Sequence, residues 1–310
     1  MEPNSRSSLA TDSAYVGRFA PSPTGPLHLG SLLAAVGSWL AARSASGLWR
    51  VRIEDVDRTR EVPGAARHQL DTLRAFGLEP DGEVLVQSAR GELYRSALDR
   101  LVGAGLAFSC RCSRSDLTAS AGIHHRCVPR PSGHTTAIRL RVPPGSESRI
   151  GFRDRLHGPI EQAVDEVVGD FVLRRADGCW AYQLAVVVDD AEQGITEVVR
   201  GADLLDSTPR QILLQRTLGL PTPAYAHLPL VVDGEGRKLS KSLSALPVDA
   251  RDPLPALRWC WAALGQDCKV VIDAGSAHAL LQRAAAEFEF NRVPLGHGLA
   301  AGQNPVASPV

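Results

Sequence analysis

Two stretches of this chain carry residue types that suit phosphate chemistry, and the first runs from Arg18 to Ser31 as RFAPSPTGPLHLGS. A strand pattern before it and a helical pattern after it predict a turn that leads into a helix N-terminus. The free N–H groups and partial positive charge of such a terminus favour phosphate. Gly30 lets a flat ring or a phosphate come close to the backbone, and His28 adds a side-chain donor. The alternative is an ordinary β–α turn with an incidental His.

The second stretch, residues 236–242, reads GRKLSKS and places two Lys and two Ser within five residues after a Gly-bearing turn. This composition suits a mobile clamp for phosphate groups. Lys241 can stabilise the charge that develops on a departing pyrophosphate. A solvated basic loop is the alternative for this stretch taken alone.

A third group of residues suggests a metal site. Cys110, Cys112 and Cys127 lie close together in sequence, with His124 and His125 nearby. Three thiolates and one imidazole can bind Zn²⁺ tetrahedrally, and a site with that closed set of ligands is structural. Either His can be the fourth ligand, and three reduced thiols without a metal are the alternative.

Strand and helix patterns alternate from Tyr15 to about Leu106, and this order predicts an α/β fold with a parallel sheet and crossover helices. A stretch rich in Cys, His, Pro and Gly then interrupts the pattern, and we interpret it as an insertion. The predicted division is a disordered tail (1–14), the first half of a catalytic domain (15–107), the insertion (108–158), the second catalytic half (159–245), a short helical C-terminal region (246–300) and a disordered end (301–310).

Composition excludes several classes of protein. The 310 residues are 44% hydrophobic, and 34 Lys and Arg balance 34 Asp and Glu. Binding to nucleic acid would therefore depend on a local patch rather than on the net charge. No apolar run is long enough to span a membrane, and six Cys are too few for a disulfide scaffold. The N-terminus lacks the apolar core of a signal peptide, so we expect a cytoplasmic protein.

The two phosphate-type stretches, in this order, resemble the two signatures of class I aminoacyl-tRNA synthetases, whose catalytic domain is of the Rossmann type. Further segments resemble glutamyl-tRNA synthetases in particular, and together they cover roughly residues 15–245. These segments are residues 18–25, 52–58, 87–88, 188–190, 194–196, 199–203 and 206–211.

The C-terminal part departs from that pattern, because only residues 243–310 follow Ser242 and leave little room for an anticodon-reading domain. This shortened form resembles glutamyl-queuosine tRNA(Asp) synthetases. The resemblance implies that L-glutamate is activated with ATP and attached to the queuosine base in the anticodon of tRNA(Asp), by an enzyme expected to be monomeric. A truncated glutamyl-tRNA synthetase that charges a 3′ end, a silent tRNA-binding paralogue and another adenylating enzyme of the same fold are the alternatives.

The same resemblance assigns site residues. Lys241 and His28 are the catalytic pair, Mg²⁺ accompanies ATP, and zinc occupies the Cys cluster, where this chain lacks the Tyr of the family pattern and has His124 or His125 in its place. The residues assigned to ATP are Pro21, Gly25, His28, Gly30, Ser31, Lys238, Ser240 and Lys241. Those assigned to glutamate are Arg18, Ala20, Ser22, Glu54, Tyr182 and Arg200, where the Arg side chains match the second carboxylate and Glu54 matches the ammonium group.

Overall fold

The computed structural model describes residues 14–113, 115–128, 136–232, 247–295 and 299–300. The helices are α1 (Leu29–Ser44), α2 (Ala65–Ala75), α3 (Gly91–Gly103), α4 (Val164–Val167), α5 (Tyr182–Glu192), α6 (Thr208–Leu218), α7 (Pro253–Ala263) and α8 (Ala277–Glu287). The strands are β1 (Val16–Phe19), β2 (Leu48–Ile53), β3 (Leu85–Val86), β4 (Ala107–Cys110), β5 (Ala137–Leu140), β6 (Arg149–Asp154), β7 (Gly158–Ala163), β8 (Val172–Arg174), β9 (Glu197–Gly201), β10 (Ala224–Leu228), β11 (Val231–Val232) and β12 (Leu299–Ala300).

The centre of the fold is a largely parallel sheet built in two parts. Strands β1, β2 and β3 pair in parallel, and β9, β10 and β6 pair in parallel with β7 added antiparallel at the edge. The parts meet where the Thr196 N–H donates to the Val16 carbonyl at 2.9 Å. The strand order therefore runs outward from β1 to β2 and β3 on one side, and from β9 to β10 on the other. In open α/β sheets, such a switch in strand order creates a ligand crevice at the carboxyl ends of the strands.

Side chains of these strands alternate between two hydrophobic cores, one on each face of the sheet. In β9, Val199 packs with α1, α7 and α8, whereas Val198 packs with α3, α5 and α6. Because side chains two positions apart share a face, Arg200 lies on the same face as Val198. The same alternation places one polar side chain from each of five neighbouring strands on the α5 face, and these are Arg52, Arg18, Arg200, His227 and Asp154.

The region of the predicted insertion forms a separate antiparallel sheet in the order β4-β5-β8. This sheet crosses the predicted boundary at residue 158, because β8 starts at Val172. Conversely, β6 and β7 span that boundary but belong to the catalytic sheet, where β6 pairs with β10. Local sequence patterns did not indicate that β8 joins the sheet of the insertion or that β6 and β7 join the catalytic sheet. Strand pairing depends on residues far apart in the chain.

The C-terminal region is helical, and α7 and α8 pack on α1 in the same core. Trp261 and Cys260 in α7 are fully buried in that core. Within the described ranges, no helix is both long and apolar enough to cross a membrane.

Candidate active site

A buried network of ion pairs lies where β1 and β2 face α5. Arg52 is completely buried, and its Nη2 lies 2.8 Å from the Asp190 carboxylate and 3.1 Å from that of Glu54. Arg18 shares Asp190 through its Nε at 3.3 Å. Burial alone would raise the pKa of Asp190, but Arg18 and Arg52 hold that pKa below its ordinary value. The carboxylate is therefore ionised and fixes both guanidinium groups in place.

The neighbouring carboxylate, Asp189, is also fully enclosed by donors. It accepts hydrogen bonds from Gln87 at 2.8 Å, Arg90 at 2.7 Å and the Tyr94 hydroxyl at 2.7 Å. Asp189 thus ties α5 to α3 and to the segment that precedes it. The network as a whole gives the strands and α5 a fixed spacing at this end of the sheet.

Arg200 differs from the other Arg side chains of this face, since it has no carboxylate within ion-pair distance among the residues that the structure describes. Within the described part of the chain, its donors reach only neutral groups. These are His227 Nε2 at 3.0 Å, Thr208 Oγ1 and Gln211 Oε1 at 2.9 Å each, the Leu204 carbonyl at 3.3 Å and the Tyr182 hydroxyl at 3.4 Å. A buried cation without an anion is costly, so this geometry favours an external carboxylate.

A cavity of about 880 Å³ opens beside this face, and its walls include Ser22, Glu54 and Tyr182. Other residues that line this cavity come from the insertion, and they include Cys112 and Arg139. Burial raises the pKa of Tyr182, so its hydroxyl remains a neutral donor. Burial also raises the pKa of Glu54, although Arg52 and Arg18 oppose that effect. The cavity therefore presents an acid and a phenol close to the Arg side chains.

The loop before α1 is held in shape by a side chain of α2 and by a backbone N–H that follows β2. Gln69 in α2 donates to the carbonyls of Ser22 and Gly25 at 3.0 and 2.7 Å, and the Glu54 N–H donates to the Pro21 carbonyl at 2.9 Å. Gly25 has φ +151°, a conformation that glycine adopts readily. These contacts fix the segment of Ala20, Pro21 and Ser22 that follows β1, and Ser22 lines the large cavity.

His28 forms the N-cap of α1, and this changes one expectation from the sequence. Its Nδ1 accepts from the N–H groups of Gly30 and Ser31 at 3.1 and 3.3 Å, so these two N–H groups are not free for phosphate. Ser31 completes the cap by accepting from the His28 N–H at 2.8 Å. A neutral ring that accepts at Nδ1 carries its proton on Nε2, so His28 presents a donor there. Gly30 makes room, because a Cβ would lie 3.1 Å from the His28 ring.

A second, smaller cavity of about 180 Å³ lies at this helix start. Its walls include His28, Gly30 and Ser31 together with Gly201 and Asp203. Gly201 follows Arg200 directly in the chain, so β9 connects the walls of this cavity with the guanidinium that faces Tyr182. The predicted ATP residues Lys238 and Ser240, and the predicted catalytic Lys241, lie outside the described residues.

The predicted metal ligands come together in the structure. The candidate ligand atoms of Cys110, Cys112, His124 and Cys127 all lie within 4.8 Å of one another. His124 is buried, and its Nδ1 lies 2.9 Å from the Asp170 carboxylate while its Nε2 lies 3.3 Å from Cys110 Sγ. A carboxylate on one ring nitrogen orients the other as a metal ligand. The cluster could therefore hold zinc.

Comparison with known proteins identifies the family of this chain. Residues 15–132 and 123–252 match the family model described as tRNA synthetases class I (E and Q), catalytic domain. The chain belongs to this family. A glutamyl-Q tRNA(Asp) synthetase of Xanthomonas campestris pv. campestris is 60% identical over 280 residues, which are 90% of this chain and 93% of that protein. One from Burkholderia cenocepacia is 55% identical over 81% of this chain and 88% of that protein.

Solved structures of class I synthetases show the same fold. A glutamate tRNA ligase from Elizabethkingia meningosepticum, solved in complex with its amino acid, has a TM-score of 0.75 and 25% identity, covering 92% of this chain and 66% of that chain. A glutamate-tRNA synthetase from Elizabethkingia anophelis has a TM-score of 0.76 and 25% identity, covering 93% and 68%. The predicted Rossmann-type class and the predicted family are thus confirmed.

Several residues that shape this class I site had no role in the sequence prediction. Arg52, Asp189 and Asp190 lay in segments that resembled glutamyl-tRNA synthetases, and that resemblance was the available signal. His227 and Asp154 lay in none of those segments. Their proximity to Arg200 follows from the pairing of β6, β10 and β9, which the sequence did not disclose.

Proposed function

We propose that this protein activates L-glutamate with ATP and transfers it to the queuosine base in the anticodon of tRNA(Asp). The observation that carries the proposal is the buried Arg200, which lies beside Tyr182 and contacts only neutral groups among the described residues. Such a guanidinium selects an amino acid with a second carboxylate. The names of the relatives at 55–60% identity support the queuosine-bearing acceptor.

The proposed reaction has two steps. A carboxylate oxygen of glutamate attacks the α-phosphorus of ATP, the bond to the bridging oxygen breaks, and pyrophosphate leaves. An acceptor group on the queuosine base then attacks the carbonyl carbon of the adenylate, and AMP leaves as the acceptor loses its proton. Positioning and charge stabilisation carry most of the catalysis in reactions of this type.

Roles for the residues follow from this reaction. Arg18 and Arg200 bind the second carboxylate of glutamate, Glu54 binds the ammonium group, and Tyr182 contributes its hydroxyl. Ala20 and Ser22 complete the glutamate pocket. Mg²⁺ accompanies ATP, and the remaining predicted residues bind ATP itself; they are Pro21, Gly25, His28, Gly30, Ser31, Lys238, Ser240 and Lys241. His28 donates from Nε2 to phosphate, and Lys241 stabilises the departing pyrophosphate.

We further propose that the Cys cluster binds one Zn²⁺ with a structural role. Three thiolates and one imidazole match the ligand set of structural zinc sites. Burial, together with Cys110, raises the pKa of the Cys127 thiol to about 11, and a bound cation would favour the ionised form of that thiol. Cys112 also lines the large cavity, so zinc would stabilise the wall that faces the glutamate site.

A pair of adjacent His residues allows a sharp test of the zinc site. H124A is expected to lower the affinity for Co²⁺, used as a spectroscopic probe, by about 100-fold or more, because it removes a buried ligand. H125A removes an exposed neighbour and is expected to leave the affinity unchanged. The absorption of the Co²⁺–thiolate complex measures both. Loss of binding in H125A with retention in H124A would contradict the assignment.

The expected partners follow from the same reaction. We propose a cytoplasmic monomer that takes queuosine-bearing tRNA(Asp) and L-glutamate as substrates. Free ATP, glutamate and tRNA share that compartment. The equal numbers of acidic and basic residues leave tRNA binding to local surfaces.

One experiment tests the proposed function directly. The purified protein receives ATP, labelled glutamate or glutamine, and tRNA(Asp) with or without queuosine. Glutamate label on the queuosine-bearing tRNA alone is the expected result. Label at the 3′ end would instead support a truncated glutamyl-tRNA synthetase, and no pyrophosphate exchange with any substrate would support a silent tRNA-binding protein.

A further inference from the structure

Three side chains from neighbouring strands form a buried chain of hydrogen bonds that ends at Arg200. Asp154 closes β6, His227 lies in β10 and Arg200 lies in β9, directly opposite His227 in the parallel register. His227 Nδ1 lies 2.6 Å from Asp154 Oδ2, and Arg200 Nε lies 3.0 Å from His227 Nε2. All three side chains are buried. They occupy the face of the sheet that Tyr182 also faces.

The chemistry of the groups fixes where each proton lies. A guanidinium group can only donate, so His227 Nε2 must accept from Arg200 and carries no proton. The ring proton is therefore on Nδ1 and is donated to Asp154. The other Asp154 oxygen, Oδ1, accepts from the N–H groups of Leu156 at 2.9 Å and His157 at 3.0 Å. One oxygen of this carboxylate therefore accepts from the His227 ring, and the other accepts from backbone N–H groups.

His227 is neutral in this arrangement. Burial, and then the charge of Arg200, lower its pKa to about 4, against the opposing effect of Asp154. A neutral imidazole can hold the guanidinium in one orientation without cancelling its charge. A carboxylate in the same position would form an ion pair with Arg200 and would compete with a substrate carboxylate. Arg18, by contrast, already pairs with Asp190 at 3.3 Å.

We infer that His227, held by Asp154, is a positioning residue that orients Arg200 toward the second carboxylate of the amino acid substrate. The inference rests on the proposed function, because it needs glutamate as that substrate. Arg200 Nε and Nη2 are held by His227, Thr208 and Gln211, which leaves Nη1 on the side of the Tyr182 hydroxyl. His227 and Asp154 act through Arg200.

The substitution D154N tests this inference without changing the shape of the side chain. The oxygen of the Asn amide stays with the N–H groups of Leu156 and His157, so its NH₂ group faces His227 Nδ1. That nitrogen must then accept a hydrogen bond, and the ring proton moves to Nε2. The Nε2–H then faces the Nε–H of Arg200, and the hydrogen bond between the two residues is lost. A carboxylate that fixes a His tautomer in this way loses that function when it becomes an amide.

The readout is glutamate-dependent exchange of pyrophosphate into ATP. D154N is expected to raise the KM for glutamate by about 10- to 100-fold, the effect of losing a hydrogen bond to a charged group. The KM for ATP is expected to stay unchanged, because Asp154 does not line the smaller cavity, which contains the predicted ATP residues His28, Gly30 and Ser31. Isothermal titration of the protein with glutamate alone is expected to show the same loss of affinity.

Two substitutions at His227 test the acceptor itself. H227L removes it and is expected to raise the KM for glutamate as much as D154N does. H227Q supplies one donor and one acceptor to the same two partners, so its KM is expected to stay within about fivefold of the wild-type value. H227Q also serves as the test if D154N fails to fold. An unchanged KM in D154N or H227L, or equal KM values in H227Q and H227L, would overturn the inference.

The control is Q215L in α6. Gln215 is buried and donates to the Tyr225 hydroxyl in β10 at 2.9 Å, yet it makes no hydrogen bond to Arg200. We expect Q215L to lower thermal stability and leave the KM for glutamate unchanged. Absence of glutamate-dependent exchange in the wild-type protein would refute the proposed function. Normal exchange in the wild-type protein with an unchanged KM in folded D154N would refute only the positioning role.

Discussion

Replacing Arg200 with Gln is expected to lower kcat/KM for glutamate in the exchange reaction by about 100- to 1,000-fold. The substitution removes a charge from a buried position where the other described partners are neutral. Truncating one partner of a buried, hydrogen-bonded charge pair costs about 2–5 kcal/mol, or roughly 30- to 4,000-fold, and the expected loss lies within those limits. Steady-state kinetics at varied glutamate and fixed, saturating ATP measure the effect.

The same variant should also lose its preference for glutamate over glutamine. In the wild-type protein the neutral amide of glutamine would leave the buried guanidinium without an anion, and a site built for one polar group rejects an analogue that lacks it. R200K keeps the charge but lacks the planar fork, so an intermediate loss is expected. R149Q is the control, because Arg149 pairs with Glu161 on the surface. Equal activity of R200Q and R149Q would contradict the role of Arg200.

The fold class could be predicted because its signals are local. Alternating strand and helix patterns indicated a parallel sheet, and the loop before α1 carried a recognisable sequence. The Cys cluster was also visible as a spacing. The choice between His124 and His125 could not be predicted from the spacing, because it depends on which side chain turns inward. The structure places His124 against Asp170, which lies 46 residues further along the chain.

Other features of the site could not be predicted, since they depend on pairing between distant segments. The hydrogen bond of Arg52 to Gln193 spans 141 residues, and the bond of Arg18 to Asp190 spans 172. The N-cap role of His28 was missed for a different reason. A His followed by Gly suggested an open phosphate site, but the nearest acceptor for the first N–H groups of α1 is the His28 ring itself.

A common principle connects the two kinds of Arg in this site. Strand alternation places Arg52, Arg18 and Arg200 on one face, and α5 supplies carboxylates to the first two only. Arg52 and Arg18 share the Asp190 carboxylate, which balances their charges only in part and fixes both side chains against α5. Arg200 donates to the imidazole of His227 instead of a carboxylate, so its charge can pair with the carboxylate of a ligand.

Replacing Arg52 with Leu is therefore expected to have its largest effect on stability. Arg52 is fully buried and lies within 3.7 Å of three carboxylates, those of Glu54, Asp189 and Asp190. Its removal leaves buried negative charges with too few cations, and breaking a buried ion pair in this way costs about 3–5 kcal/mol of unfolding free energy. Urea denaturation followed by circular dichroism measures the change.

The pH dependence of this loss separates a charge effect from a packing effect. In the wild-type protein the pKa of Asp190 is lowered, so its ionised form adds stability above the unfolded pKa, and this stability is lost as the pH falls. In R52L the carboxylate loses a cation, its folded pKa rises, and protonation at lower pH relieves the cost of burial. The deficit relative to the wild-type protein should therefore shrink between pH 7 and pH 5. R149L, which breaks the exposed pair with Glu161, should leave stability nearly unchanged at either pH, because solvent screens that pair. A deficit in R52L that stays constant with pH would show that lost packing, rather than uncompensated charge, is responsible.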